Sequence, residues 1–117
     1  IKPVLNIDME VSLREISLDV VKELKKLEPF GEANEMPLFL IRNLKIESIR
    51  AITEGQHLKL RLKDENFELD AIGFHLGEYA DSYKLGDKVD IVGNLDINSY
   101  NGMESVQVNL KDMIKSL

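Results

Sequence analysis

The 117-residue chain carries 21 acidic against 15 basic side chains, a net charge of −6, and 44% of its residues are hydrophobic. This balance is typical of one soluble globular domain, and the negative charge argues against a free-standing nucleic-acid binder, whose affinity rests on lysine and arginine. The absence of cysteine excludes disulfides and thiolate metal sites and is consistent with a reducing, cytoplasmic environment. No apolar run has the length of a membrane span. Because the chain begins with Ile1 rather than Met, we expect it to be part of a longer protein.

The first 37 residues predict an extended arm, a helix and a loop. Ser17 is a favourable N-cap for a helix over 18–27, whose apolar residues form one stripe. Pro29-Phe30-Gly31 ends that helix. We therefore expect residues 1–37 to pack as a strand, a helix and a Pro-Phe-Gly loop against the rest of the chain, within one compact domain.

The stretch HLKLRLK at residues 57–63 alternates without a fault between leucines and a histidine or basic residue. Since successive side chains of a strand point to opposite faces, this pattern predicts a strand with one apolar and one cationic side. Turn residues at 53–56 and 64–66 flank it. The run is therefore the middle strand of a predicted three-stranded meander.

Similar patterns predict five strands in all, over 38–52, 57–63, 67–74, 88–97 and 104–110. Residues 75–85 predict a short helix or turn, 98–102 a turn cluster, and 111–117 a short tail. Five strands with a helical connection between the third and fourth are typical of an OB-fold, a mostly β, five-stranded Greek-key barrel over 38–117. An SH3-like barrel is the competing fold, but it has no natural place for that insert. Gly73 and Gly93 are candidate bends of the barrel.

Charge is unevenly distributed along the predicted barrel. Residues 40–63 carry a net charge of +4, whereas residues 64–104 carry −8. We therefore expect one side of the meander to be locally basic on an acidic body.

No constellation of catalytic or metal-ligating residues is evident. The two histidines, His57 and His75, have no carboxylate at metal-ligand spacing, and no nucleophile elbow or phosphate-binding glycine loop is present. Asp64-Glu65 and Asp70 are interpreted as solvated charges on a hairpin and strand. The sequence predicts no catalytic residue and no metal site in this chain.

Several residues suit the binding of single-stranded nucleic acid, which OB-folds bind with cations that contact phosphates and aromatic rings that stack on bases. Lys59, Arg61 and Lys63 share one side of the second predicted strand; the alternative is an ordinary solvated face. Tyr100, between Asn98 and Asn101, either stacks on a base or is a plain turn residue. Phe74, at the end of the third predicted strand, belongs either to the site or to the core.

Four stretches carry a family resemblance that spans roughly residues 5–114. LEPFGEANEMPLF at 27–39 resembles the LEPFGxGNPxPxF run of the RecJ family of single-strand-specific exonucleases, where it leads into a C-terminal OB-fold. DAIGF at 70–74, LGDKVD at 85–90, and NSYNG followed by VQV at 98–108 resemble further family motifs. The chain departs from the family at Ala33, Glu35, His75 and Tyr100, where glycine, proline, asparagine and tryptophan are usual.

The resemblance implies a parent enzyme similar to a 5′-to-3′ exonuclease that acts on single-stranded DNA in repair and recombination. In that family a separate DHH core, absent from this chain, holds manganese or magnesium. The implied partners are single-stranded DNA, the parent's own nuclease domains and a single-strand-binding protein. The resemblance adds His75 and Gln107 to the candidate contacts, so that the full predicted set is Lys59, Arg61, Lys63, Phe74, His75, Asn98, Tyr100, Asn101 and Gln107.

Two other functions stay open from the sequence. The chain is either a DNA-binding module or an inter-domain brace, in which the acidic surface of residues 64–104 meets a protein partner. An RNA-binding OB domain, of the kind found in tRNA synthetases, is the third hypothesis.

Overall fold

The computed structural model describes residues 6–27 and 36–117. Within them lie six strands: β1 Met9–Glu10, β2 Phe39–Ile52, β3 His57–Asp64, β4 Phe67–Gly73, β5 Lys88–Tyr100 and β6 Met103–Lys115. Helix α1 spans Leu18–Lys25, and two short 3-10 helices span Leu13–Glu15 and Gly77–Asp81. The Pro-Phe-Gly loop and the first residues of the predicted arm lie outside the described residues. No helix in the described ranges combines the length and the apolar character of a membrane span.

Strands β2 to β6 close into a barrel in the order β2-β3-β4-β6-β5, and β5 pairs back onto β2. Every neighbouring pair in this ring is antiparallel except β4–β6, a parallel seam that runs from Asp70 opposite Gln107 to Ile72 opposite Asn109. The short β1 adds a parallel pairing to the beginning of β2. The arrangement confirms the predicted mostly β, five-stranded OB-fold barrel, and the helix between the third and fourth barrel strands is the 3-10 helix Gly77–Asp81.

The interior of the barrel is built from the apolar parity of each strand. Leu58, Leu60 and Leu62 on β3 are each at most 1% exposed, which confirms the inward side of the alternating stretch. Their register partners on β4 include Ala71 and Leu69, which are also buried. Burial of these side chains, each of which stabilises the fold by roughly 1.5–3 kcal/mol, fixes which side of β3 faces water.

The N-terminal segment is tied to the barrel by packing and by ion pairs. Val21 of α1 and Leu13 belong to the same buried cluster as the barrel residues. The Ser17 hydroxyl accepts the Val20 N–H at 3.1 Å, which confirms the predicted N-cap. Lys25 pairs with Asp96 on β5 at 2.9 Å, so α1 braces the long β5–β6 hairpin.

Three boundaries differ from the predicted ones by more than one residue. The helix ends at Lys25 and not at residue 27. Residues 98–100, predicted as part of a turn, are strand: the loop is only Asn101-Gly102, and both residues have positive φ, as a two-residue hairpin loop requires. Residues 98–100 have no apolar alternation because this end of the hairpin is exposed on both faces.

Residues 111–117 are not a tail, because β6 continues to Lys115. Its last residues pair with β5 as far back as Val89. The β5–β6 register shifts between Val92 and Gly93, and this shift interrupts the apolar alternation of β6. The sequence pattern therefore predicts too early an end for this strand. Gly93 lies at this irregularity, and an added Cβ there would lie 2.5 Å from the Asn109 carbonyl oxygen, so the close approach of β6 favours glycine at this position.

Candidate nucleic-acid interface

A groove of about 520 Å³ lies on the outer surface between β3, β4 and the β5–β6 hairpin. The cation comes from β3, a carboxylate comes from β4, and the aromatic and amide groups come from the hairpin. The lining residues are Lys59, Asp70, Asn98, Tyr100, Asn101, Met103 and Ser105. The structure therefore brings together four of the predicted contact residues, which are Lys59, Asn98, Tyr100 and Asn101, in one surface that we call the hairpin groove.

The hairpin loop determines how the aromatic side chain is presented. Tyr100 and Met103 face each other across the two-residue loop, and their side chains are 73% and 74% exposed. Within the described part of the chain, the Tyr100 hydroxyl has no hydrogen-bond partner. An open aromatic face beside two asparagine amides suits the stacking and edge recognition of an unpaired base.

Lys59 supplies the cation of the hairpin groove. It stands on the outward parity of β3, opposite Ile72 of β4. Among the described residues it forms no ion pair or hydrogen bond, so its ammonium is available to an incoming anion.

Arg61, two residues further on the same parity, has a different environment. Its Nη1 donates to Asp70 Oδ1 at 2.8 Å and its Nη2 pairs with Glu68. Arg61 lines a second depression of about 340 Å³ that reaches Leu13 and Leu18 of the N-terminal segment, so it lies beside the hairpin groove and not in it. Asp70 and Ser105 line both depressions.

Two further predicted residues stand on the same outer surface without lining the hairpin groove. Lys63 is opposite Glu68 in the β3–β4 register, and Gln107 on β6 is opposite Asp70 across the parallel seam. The predicted basic side of the meander is therefore not uniformly basic. The acidic segment 64–104 supplies β4, whose carboxylates lie directly beside the cations of β3.

Phe74 and His75 directly follow the last residue of β4. Phe74 is 55% exposed, so it does not belong to the core. Its ring lies 5.3 Å from that of His57, and the two histidine rings are 5.0 Å apart. His57 Nδ1 accepts the backbone N–H of His75 at 2.9 Å, a contact that holds His75 at a φ of 64°. The result is a surface cluster of three rings, in which Phe74 and His75 are exposed and His57 is half-buried.

Four members of this surface are absent from the predicted set: Asp70, Met103 and Ser105, which line the hairpin groove, and His57. The signal for His57 was present in the sequence, because it has the same parity as Lys59 on β3. Met103 had no signal beyond its position next to the hairpin loop. In the described ranges, no three histidine, aspartate or glutamate side chains group in a way that could hold a metal ion.

Comparison with known proteins gives a consistent result. A family model described as the RecJ OB domain matches residues 7–112. The single-stranded-DNA-specific exonuclease RecJ of Bacillus subtilis (strain 168) is 32% identical over 111 residues, which are 94% of this chain and 14% of that protein. The chain thus spans about one seventh of the length of that relative.

Solved structures agree with the family match. The crystal structure of RecJ from Thermus thermophilus in complex with Mn²⁺ superposes with a TM-score of 0.62 at 34% identity, covering 84% of this chain and 14% of that one. The second single-stranded DNA binding protein of Mycobacterium smegmatis, at 20% identity and a TM-score of 0.57, covers 68% of this chain and 84% of its own, and it shares the fold. Since the family model covers nearly the whole barrel and its N-terminal segment, this chain belongs to the RecJ OB domain family.

Proposed function

We propose that this domain binds single-stranded DNA as the OB module of a RecJ-like 5′-to-3′ exonuclease in DNA repair and recombination. It guides the strand toward a nuclease core that lies outside this chain. The parent works in the cytoplasm, and its other partners are its own nuclease domains and a single-strand-binding protein. The proposal is supported by the family membership and by the single-stranded-DNA specificity in the name of the Bacillus subtilis relative.

The observation that carries the proposal is the hairpin groove. Its lining combines Lys59, which forms no ion pair among the described residues, with the exposed aromatic ring of Tyr100 and with Asn98 and Asn101. Non-sequence-specific binding of single strands depends on these two elements, a cation along the backbone and an aromatic platform for the bases. A double helix keeps its bases stacked inside and cannot use the platform.

The overall charge of −6 is compatible with this role in a tethered module. A domain joined to its enzyme meets the strand at a high effective concentration, so weak intrinsic affinity is sufficient. Phosphodiester hydrolysis, together with the manganese or magnesium that it uses, belongs to the parent's core. The described residues of this chain bind and orient the strand.

The proposal is tested by titrating the chain with a fluorescent single-stranded DNA oligonucleotide. Tyr100→Ala is expected to weaken binding by about 1–3 kcal/mol, the usual contribution of one stacked base. Lys59→Ala is expected to lower the slope of log K against log salt by about 0.7, because one phosphate contact is lost.

Lys84→Ala serves as the control, because Lys84 is exposed and does not line the hairpin groove. Equal affinity of Tyr100→Ala and the parent chain would refute the groove as the binding site. An RNA oligonucleotide of the same sequence completes the experiment: tighter binding of RNA than of DNA would favour the RNA-binding alternative, because 2′-hydroxyl contacts would then contribute.

A second candidate function, the inter-domain brace, is favoured by a different surface. Exposed Met9 and Val20 border a groove of about 380 Å³ whose walls include Val11, Leu24 and Phe39. Because the chain covers only about one seventh of its relative's length, the remaining domains of the parent are the natural occupants. Absence of any DNA affinity in the titration above would select this function over the first.

A further inference from the structure

Arg61 stands between two carboxylates on the outer face of the barrel. Nη1 contacts Asp70 at 2.8 Å and Nη2 contacts Glu68, although the arginine side chain is still 45% exposed. Both acids come from β4, and the β3–β4 register sets Asp70 directly opposite Arg61. The contact between Arg61 and Asp70 therefore follows from the pairing of β3 with β4.

The contact with Arg61 favours the charged form of the Glu68 carboxyl. The hydrogen bond from Arg61 lowers the pKa of Glu68, and the charge of the guanidinium acts in the same direction. The hydrogen bond to Glu68 in turn raises the pKa of Arg61. An incoming phosphate therefore meets a cation whose two outer nitrogens are engaged and whose charge is offset by two neighbours.

Asp70 also lines the hairpin groove, so one negative charge stands near Lys59. A ligand that relies on phosphate contacts loses most from this arrangement, because each contact gains its free energy from the release of counterions. Duplex DNA is such a ligand, since its bases are stacked internally. A single strand is affected less, because its bases can stack on Tyr100.

We propose that Glu68 and Asp70 are specificity-determining residues: by neutralising Arg61 they make binding depend on base stacking, and so favour an unpaired strand over a duplex. This inference rests on the proposed DNA-binding function. It assigns the two acids a role in discrimination, and it makes Arg61 a residue whose contribution appears only when the acids are removed.

The test compares a single-stranded oligonucleotide with the duplex of the same length, using the parent chain and the double variant Glu68→Gln/Asp70→Asn. Glu78→Gln/Asp81→Asn is the matched control, because it changes the net charge equally at two exposed residues that line neither depression. Surface ion pairs contribute little to stability, so both double variants are expected to fold, which circular dichroism checks.

The double variant is expected to bind duplex DNA at least about threefold more tightly than the parent chain does. Its slope of log K against log salt is expected to be about 0.9 steeper. Its gain for the single strand is expected to be smaller, so the preference for unpaired DNA falls. Arg61→Ala in the parent background is expected to change affinity less than about twofold, because a neutralised cation contributes little. In the double-variant background the same substitution is expected to abolish the gain.

Three outcomes would overturn the inference while leaving the proposed function intact: the control gains as much as the double variant, the double variant gains equally for both ligands, or Arg61→Ala weakens the parent as strongly as Lys59→Ala does. Binding of neither ligand by any variant would overturn the inference together with the proposed function.

Discussion

The closed end of the barrel, under the 3-10 helix Gly77–Asp81, and the hairpin groove use the same residue type in opposite ways. At the closed end, the Tyr79 hydroxyl donates to Asp112 at 2.8 Å and the Tyr83 hydroxyl donates to the Met113 carbonyl at 3.0 Å. At the groove, Tyr100 is mostly exposed, and its hydroxyl has no hydrogen-bond partner among the described residues. The difference teaches that a tyrosine indicates a binding surface only where the fold has left it without a structural partner.

Substitution of Gly77 is expected to have the largest effect on stability, because the closed end depends on a close backbone contact at this residue. Its N–H donates to the Gln56 carbonyl, and a Cβ at this position would lie 1.9 Å from the Gly55 carbonyl oxygen. Gly77→Ala is therefore expected to lower the free energy of unfolding by about 1–3 kcal/mol or more, since the 3-10 helix must move away from the turn. Urea denaturation measures the change.

Ser82→Ala, in the same segment but exposed, is the control for that substitution and is expected to stay within about 0.5 kcal/mol of the parent. A Gly77→Ala variant as stable as the parent would mean that the closed end tolerates displacement, and the contrast with the groove would disappear.

The tyrosine hydroxyls sharpen the comparison with a smaller effect. Tyr79→Phe and Tyr83→Phe each remove one hydrogen bond and are expected to lower the free energy of unfolding by about 1 kcal/mol. Tyr100→Phe removes no hydrogen bond within the described residues and is expected to change stability by less than about 0.5 kcal/mol. It also keeps its stacking face, so DNA affinity is expected to be retained. Equal destabilisation by all three substitutions would contradict the division between the two regions.

The smallest expected effect is a pH dependence of the closed end. The hydrogen bond to the Asp112 carboxylate, together with burial, raises the pKa of Tyr79 from 10 to about 12. The folded protein then holds the Tyr79 proton more tightly than the unfolded chain does, so this contribution is complete below pH 10 and is lost as the pH rises to about 12. Tyr79→Phe is expected to reduce the fall in stability across that window, and denaturation at a series of alkaline pH values measures the difference. An identical fall in stability with pH in the parent and the variant would show that Tyr79 does not cause it.

The inward-facing side of β3 could be predicted from the sequence, because all of its leucines are buried in the same way. The surroundings of the outward-facing residues could not be predicted. Lys59 and Arg61 share one side of β3 and have similar chemistry. In the part of the chain that the structure describes, Lys59 has no ion-pair partner, whereas Arg61 is held by Asp70, whose position depends on the β3–β4 register. The charge difference between 40–63 and 64–104 is visible in the sequence, but the register that sets Asp70 opposite Arg61 is not.

The sequence predicts the position of the β5–β6 hairpin but not its full length. Asn101-Gly102 has the composition that a two-residue loop requires, whereas Asn98 and Ser99 also looked like turn residues. They are strand because β5 and β6 remain paired beyond the barrel, and this extension carries Tyr100 to the groove. Whether the predicted set contacts DNA stays a prediction, with His57 and Met103 now added to it.

The parallel seam between β4 and β6 has a consequence for how the barrel assembles. The β3–β4 and β5–β6 hairpins join residues that are near each other in sequence, whereas Asp70 and Gln107 are far apart along the chain. Contacts between distant segments form slowly, since a long loop must be ordered before they can stabilise anything. The seam is therefore expected to form after the two hairpins, and the face proposed to bind the strand is completed only then.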